Sequence, residues 1–412
     1  MRRFYSSFFF LFILVNECFS QDSLYAREII NTLCSKKFHG RGYVKQGDGK
    51  AAKFLASEFK KWKIAPVENK YYQSFNFPVN TFPGRMDVRI DQKKLIPGAD
   101  FIVYPSSSSA NTSYDLEFVD SASLLSALSS PTNKCLVIDL KDFNAQREQA
   151  IALLSQKSTG AILFIEEKKL TWSVAQRNHA IPIVVVLKKN ISQSNIKISL
   201  NIKAVFIENH STQNIIGKID GEACPDSFIV LTAHYDHLGM MGRKACFTGA
   251  NDNASGIAML LNLAKYYSSA RPGYSILFIL FAGEEAGLEG SKYFTEHPLI
   301  DLKKIKFLIN LDLLGTGDEG LMVVNATEYK KEFSKLKAIN DEKNYLPTLG
   351  ERGKARNSDH YFFSEKGVPA FFFYTMGGIQ AYHDIYDRAE TLPLTKFKEV
   401  FKLIRDFIVT LD

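Results

Sequence analysis

Four apolar runs of this 412-residue sequence end on, or lead into, a side chain that can bind a cation or move a proton. His234 closes FIVLTAH, Glu284 and Glu285 close SILFILFAGEE, Asp312 closes KFLINLD, and His383 follows PAFFFYT. Asp252 stands in GANDNASG, a glycine-flanked turn that opens a helical segment. Two imidazoles and three carboxylates (His234, Asp252, Glu285, Asp312 and His383) suit zinc, and a carboxylate can bridge two such ions where a histidine cannot. Two Zn2+ ions roughly 3.5–4 Å apart would polarise a carbonyl and bring a shared water to a pKa of about 7. One more carboxylate is then needed to carry protons. Consecutive residues leaving a strand point opposite ways, so of Glu284 and Glu285 one can ligate while the other faces the water. Asp236, two residues after His234, is expected to accept the other imidazole N–H and fix the ring. His237 beside it reads as a packing or solvent-facing residue. Taken singly, each of these groups reads as surface or capping chemistry. Together they do not, because apolar strands that deliver five acids and imidazoles to one rim would bury them at high cost without a function.

The elements that must position them are strands alternating with helices: strand FIVLTA, helix ASGIAMLLNLAKYY, strand YSILFILFAG, strand KFLINLD and strand PAFFFYT. This pattern predicts an α/β fold with a mixed, mostly parallel central sheet flanked by helices, its sites gathered at the C-terminal strand edge. Helical spacing at Ser23–Leu33 and Lys50–Trp62 predicts packing helices over 21–74 that complete the same domain. Between 75 and 206 short β-rich runs and polar loops replace the pattern, with strands expected at Cys135–Leu140, Ala161–Ile165 and Ile181–Leu187 and a helix at Asn144–Leu154. This stretch is expected to be a smaller β-rich inserted domain, with 207–412 forming the main domain.

The formal net charge of +7 is dispersed among acids rather than gathered in a stripe, which argues against nucleic acid as a partner. Arg2 and Arg3, the apolar run Phe8–Val15 and Cys18-Phe19-Ser20 predict a signal peptide at 1–20, cleaved near Gln21. Export to the periplasm or extracellular space follows, without stable membrane insertion after cleavage; lipid anchoring at Cys18 is the weaker fit, since Asn16 and Glu17 suit that signal poorly. Cys34, Cys135, Cys224 and Cys246 would remain, and of these Cys224 with Cys246 is the pairing closest in the chain. Oligomeric state is not legible.

At this point the sequence resembles the M28 family of co-catalytic zinc peptidases, which includes bacterial leucyl aminopeptidases. The resemblance rests on AHYDHLG at Ala233–Gly239, GANDNASG at Gly249–Gly256, FAGEEAGLEGS at Phe281–Ser291, NLDLLG at Asn310–Gly315 and YHD at Tyr382–Asp384. It implies a zinc-exopeptidase fold and peptide or protein N-termini as substrate. It also implies that Asp252 bridges two zincs, with His234 and Asp312 at one, Glu285 and His383 at the other, and Glu284 as general base. The 75–206 stretch, through GAILFIEE and IPIVVVL, resembles a protease-associated domain that shapes access to the cleft. Two positions depart from the family pattern: Ala355 stands where some relatives carry an oxyanion-stabilising tyrosine, leaving Tyr382 or Arg356 as substitutes, and Asn251 precedes Asp252 where many have Asp. Rival readings are a glutaminyl cyclase of the same fold and a non-catalytic ectodomain. A carboxypeptidase or dipeptidase is a third, and would need Arg243, Arg352 or Arg356 to meet a substrate carboxylate.

Overall fold

The computed structural model describes residues 23–120, 132–139, 141, 151 and 160–411, so the leader expected at 1–20 and most of the helix expected at Asn144–Leu154 lie outside them. At the centre of a nine-stranded sheet, four strands run parallel side by side: Tyr274–Phe281, Cys224–His234, Ile305–Leu311 and Ala370–Met376. They are the apolar runs of the sequence, and burial on both faces explains their lack of alternation. Ile229, Leu231 and Ala233 pack with residues of the helices Ser23–Leu33, Gly256–Tyr267 and Phe397–Val409. Phe228 and Val230 point the opposite way, toward Phe294 and Phe363. The sheet is mixed: antiparallel strands flank the parallel centre, Val205–Ile219 on one side and Gly320–Val324 on the other.

Register decides where chemistry can gather. Thr232 lies beside Asn310, and His234 beside Phe281, so His234 and Asp312 leave the sheet at one level with the Glu284–Glu285 pair just beyond. The helix Gly256–Tyr267 begins so close to this rim that a Cβ on Gly256 would sit 2.5 Å from the Leu311 carbonyl oxygen. That approach brings the Asp252 turn onto the same edge.

A second, eight-stranded sheet is built from strands between Met86 and Ile202, with Cys135–Asp139, Ala161–Glu166 and Ile183–Leu187 among its parallel members. The stretch expected as an insert from 75 to 206 therefore divides. Tyr72–Thr81, whose alternating burial reads equally well in either sheet, pairs with Val205–Ile219 in the main sheet. Nor are the two cores separate: Leu238, Met241, Ala245 and Phe247, from the hairpin that follows His234, are buried in the apolar cluster of the second sheet. All four described cysteines are free thiols. The Cys224–Cys246 pairing fails because Cys224 opens the strand that His234 closes. At about 3.3 Å per residue, that leaves roughly 30 Å between Cys224 and the rim from which the Cys246 hairpin departs. Among the described residues no helix is long and apolar enough to cross a membrane.

The C-terminal helix shows how the flanking layer is held. Phe397, Val400, Phe401, Ile404, Phe407 and Ile408 recur at helical spacing and are buried. The Phe407 ring lies 5.7 Å from that of Phe307 and 5.9 Å from that of Phe371. Phe407→Ala should leave a cavity costing about 3–5 kcal/mol. A clear fall in the denaturant midpoint is the expected reading.

Candidate metal centre

The rim gathers its groups into two adjoining halves. In the first, His234 Nε2 lies 3.4 Å from Asp312 Oδ2, 3.3 Å from Asp252 Oδ1 and 3.9 Å from Glu284 Oε2. Asp312 is set by a chain of side chains running beneath the rim. Thr232 donates to Asn310 Oδ1 at 2.6 Å, Asn310 donates to Ser358 Oγ at 2.8 Å, and Ser358 donates to Asp312 Oδ2 at 3.2 Å. The other Asp312 oxygen is buried with no hydrogen-bond partner among the described residues. In the second half, His383 Nε2 lies 3.0 Å from Asp252 Oδ2 and 3.3 Å from Glu285 Oε2. Asp252 thus turns one oxygen to each of two imidazoles, while the adjacent glutamates go to different halves.

Asp252 owes its position to its backbone. Asp387, fully buried, accepts the N–H of Asn251 at 2.8 Å on one oxygen and the N–H of Asp252 at 3.0 Å on the other. Arg41, also fully buried, donates to the carbonyls of Tyr235 at 2.8 Å, Thr248 at 2.6 Å and Gly249 at 2.8 Å. One guanidinium therefore ties the loop after His234 to the turn before Asp252. The Asp252–Asn253 peptide is cis. Gly249 has φ +55°, and a Cβ there would fall 2.4 Å from the His237 ring, so the turn accepts no side chain.

Asp236 does its work elsewhere than the sequence suggests. The His234 Nδ1 lies 3.2 Å from the backbone oxygen of Asp236, whereas the nearest carboxylate oxygen is 3.8 Å away. That carboxylate is drawn aside by better donors: the Tyr43 hydroxyl at 2.6 Å and the backbone N–H groups of Glu284 at 3.2 Å and Glu285 at 3.4 Å. It orients the glutamate pair rather than the imidazole. His237 is neither solvent-facing nor mere packing: it is fully buried, with Nδ1 2.6 Å from Glu285 Oε1. Arg41, Tyr43, His237 and Asp387 were not among the expected site residues. No local motif marks Arg41, Tyr43 or Asp387; His237, inside AHYDHLG, could have been found from its neighbours.

Burial dominates the electrostatics. It pushes Glu284 well above the usual carboxylate range, reinforced by Glu285, Asp359 and Asp312, with His234 opposing. It likewise raises Asp312, and it takes Asp236 up to about 6. For Asp252 burial also pushes upward, but hydrogen bonds from His234 and His383 outweigh it and hold the group well below the ordinary value. His383 is the mirror case: burial pushes down, yet Glu285 and Asp252 carry it up to about 9. A cluster this acidic, mostly buried and reached from one side, is suited to divalent cations. Donor atoms of His234, Glu284 and Asp312 lie within 4.8 Å of one another, as do those of His237, Asp252 and Glu285. The nitrogen and oxygen donor set fits zinc. Above it opens a cavity of about 370 Å³ lined also by Arg352, Arg356, Tyr374 and Tyr382, while Arg243 is not among its walls.

Comparison with known proteins gives the following. Residues 214–408 match the model of Peptidase family M28. Aminopeptidase YwaD of Bacillus subtilis (strain 168) is 28% identical over 346 residues, 77% of this chain and 68% of that protein. A probable zinc metalloprotease of Pyricularia oryzae is 34% identical over 111 residues, but the match spans only 26% of this chain and 22% of that protein. Among solved structures, BSAP, a zinc aminopeptidase from Bacillus subtilis, has the same fold, with a TM-score of 0.72 at 21% identity over 95% of this chain and 94% of that one.

The Asp387 clamp is open to a direct test. In Asp387→Asn one acceptor oxygen becomes an NH2 group facing a backbone N–H, leaving a buried donor unpaired at a cost of about 1–3 kcal/mol. The variant should unfold at lower temperature and bind zinc more weakly than the parent, read by thermal unfolding and by zinc titration.

Proposed function

We propose that this chain, which carries a Peptidase family M28 domain over residues 214–408, is an exported two-zinc exopeptidase that removes amino acids from peptide N-termini. The observation that carries the reading is Asp252, whose two carboxylate oxygens face separate imidazoles, His234 and His383, as a bridging ligand must. His234 and Asp312 would hold one zinc and Glu285 and His383 the other, with Asp252 shared. When bound, such a pair would polarise the scissile carbonyl and lower the pKa of a water at the site.

The chain's own residues supply the rest. Glu284, in the half with His234 and Asp312 and kept proton-avid by burial, takes the proton of the attacking water and returns it to the leaving amine. Asp236 keeps that carboxylate aimed by accepting the Glu284 backbone N–H from behind, and is itself held by the Tyr43 hydroxyl. Tyr382, whose ring stacks on His383 with centroids 4.0 Å apart, and Arg356 both line the cavity as candidate oxyanion donors. That the Bacillus subtilis relatives YwaD and BSAP are aminopeptidases supports amino-end attack. Export is inferred from the leader-like residues 1–20.

A second reading is favoured by Arg352 and Arg356, which stand in the cavity wall where a free substrate carboxylate would be recognised, as in a dipeptidase or carboxypeptidase. Short peptides blocked at one end or the other separate the two. N-acetylation should abolish hydrolysis and C-amidation should leave it. Cleavage that survives acetylation but is lost on amidation would replace the first reading with the second.

Glu284→Gln should retain about the parental zinc content while turnover falls by roughly 10² to 10⁴. Undiminished turnover in that variant would remove Glu284 from the mechanism. Metal analysis of the parent should find two zincs per chain, and stripping them with a chelator should abolish activity until zinc is restored.

A further inference from the structure

His383 is the least supported of the expected ligands on its own side of the molecule. It lies in a loop between the strand Ala370–Met376 and the helix Phe397–Val409, and its φ of +53° is a left-handed conformation that a histidine keeps only when its surroundings impose it. What imposes it comes from the second sheet's side. Trp172 donates its backbone N–H to the His383 carbonyl at 2.9 Å, and the Trp172 carbonyl faces His383 Nδ1 at 3.1 Å. Three residues earlier, Lys169 forms an ion pair with Asp384 at 2.7 Å and donates to the Gln380 carbonyl at 2.7 Å. Asp384, almost fully buried, in turn accepts the Tyr386 N–H at 2.8 Å and so shapes the turn that presents His383.

The same segment reaches the opposite wall. Gln176 donates to the Ala286 carbonyl, next to Glu285, and to Glu289 Oε1. Its own footing is firm, since the Trp172 indole N–H is bound to the Val103 carbonyl at 2.8 Å and the ring lies 4.7 Å from Phe247. No comparable contact reaches the first half among the described residues: the second nitrogen of His234 meets Asp236, and Asp312 is held by Ser358.

We infer that the segment Lys169–Gln176 is a positioning strap for one of the two zinc subsites, the one built on His383 and Glu285, and that the second sheet is thereby part of the metal centre rather than an appendage to it. This rests on the two-zinc reading. A hydrogen bond from Nδ1–H to the Trp172 carbonyl fixes the tautomer in which the Nε2 lone pair faces Asp252 and Glu285. Lys169 and Trp172 act through His383 and touch no substrate, so they are positioning residues. Losing an outer partner of this kind typically weakens metal binding by about 10- to 100-fold.

Lys169→Met is the direct probe, because the Lys169 side chain is 39% exposed and its loss creates no core cavity. Zinc release from the full-length protein to a chelator should show two zincs in the parent. In the variant one of them should be held roughly 10- to 100-fold more weakly and the other unchanged, with kcat reduced more than KM rises. Lys169→Arg should restore the parental pattern. Trp172→Phe, which keeps an aromatic ring but removes the pyrrole part with its N–H to the Val103 carbonyl, should shift the same subsite in the same direction. Parental affinity at both subsites in Lys169→Met and Trp172→Phe would overturn the strap, as would a loss shared equally by both subsites and matched by a lower melting temperature of the zinc-stripped protein. A parent that takes up no zinc would overturn the two-zinc reading itself, a result plainly distinct from these.

Discussion

The molecule is organised around mutual repulsion. Asp252, Glu284, Glu285 and Asp312 are brought to one rim, with Asp236, Asp359 and Asp387 buried close behind. Two like charges 4 Å apart cost about 4 kcal/mol each time in a protein-like dielectric. Such a cluster persists only if each carboxylate has somewhere to place its charge or is pushed toward its neutral form, as burial pushes Asp359 up to about 7. Asp387 and Asp236 find backbone N–H groups, Asp252 finds two imidazoles, and Asp312 finds the Ser358 hydroxyl. What is left over points into the cavity, where divalent cations would balance it.

That constraint explains why so much of the surrounding structure is polar yet rigid. Arg41 contributes a buried guanidinium directed at the carbonyls of two separate loops, fixing their spacing where hydrophobic packing alone would allow sliding. The chain Thr232–Asn310–Ser358–Asp312 crosses two parallel strands and a helix start, so the position of one carboxylate is tied to the register of the sheet. The hairpin after His234 is anchored in the apolar core of the second sheet, and the loop carrying His383 is held by Trp172. The half of the rim that holds His383 therefore depends directly on how the two sheets are packed together.

The sequence alone determined the α/β class, the apolar strands FIVLTA, YSILFILFAG, KFLINLD and PAFFFYT, and the set of groups at or near their C-terminal ends, because side chains at strand ends and in Gly-flanked turns have few other places to go. Residue type made a candidate metal centre legible for the same reason: buried acids beside imidazoles have few other uses. Tertiary structure decided what runs at right angles to the chain. Strand Tyr72–Thr81 joined the main sheet because pairing partners are not written in an alternating pattern. Asp236 turned from His234 to the Glu284–Glu285 amides because donors more than forty residues away in sequence reach it with better geometry. Arg41, Asp387 and Trp172 entered the site through bonds to backbone groups and Tyr43 through the Asp236 carboxylate, all from segments with no motif of their own, since such bonds demand proximity rather than a recognisable residue pattern. Composition and periodicity fix what a segment can become; only the packing of distant segments fixes which atoms meet.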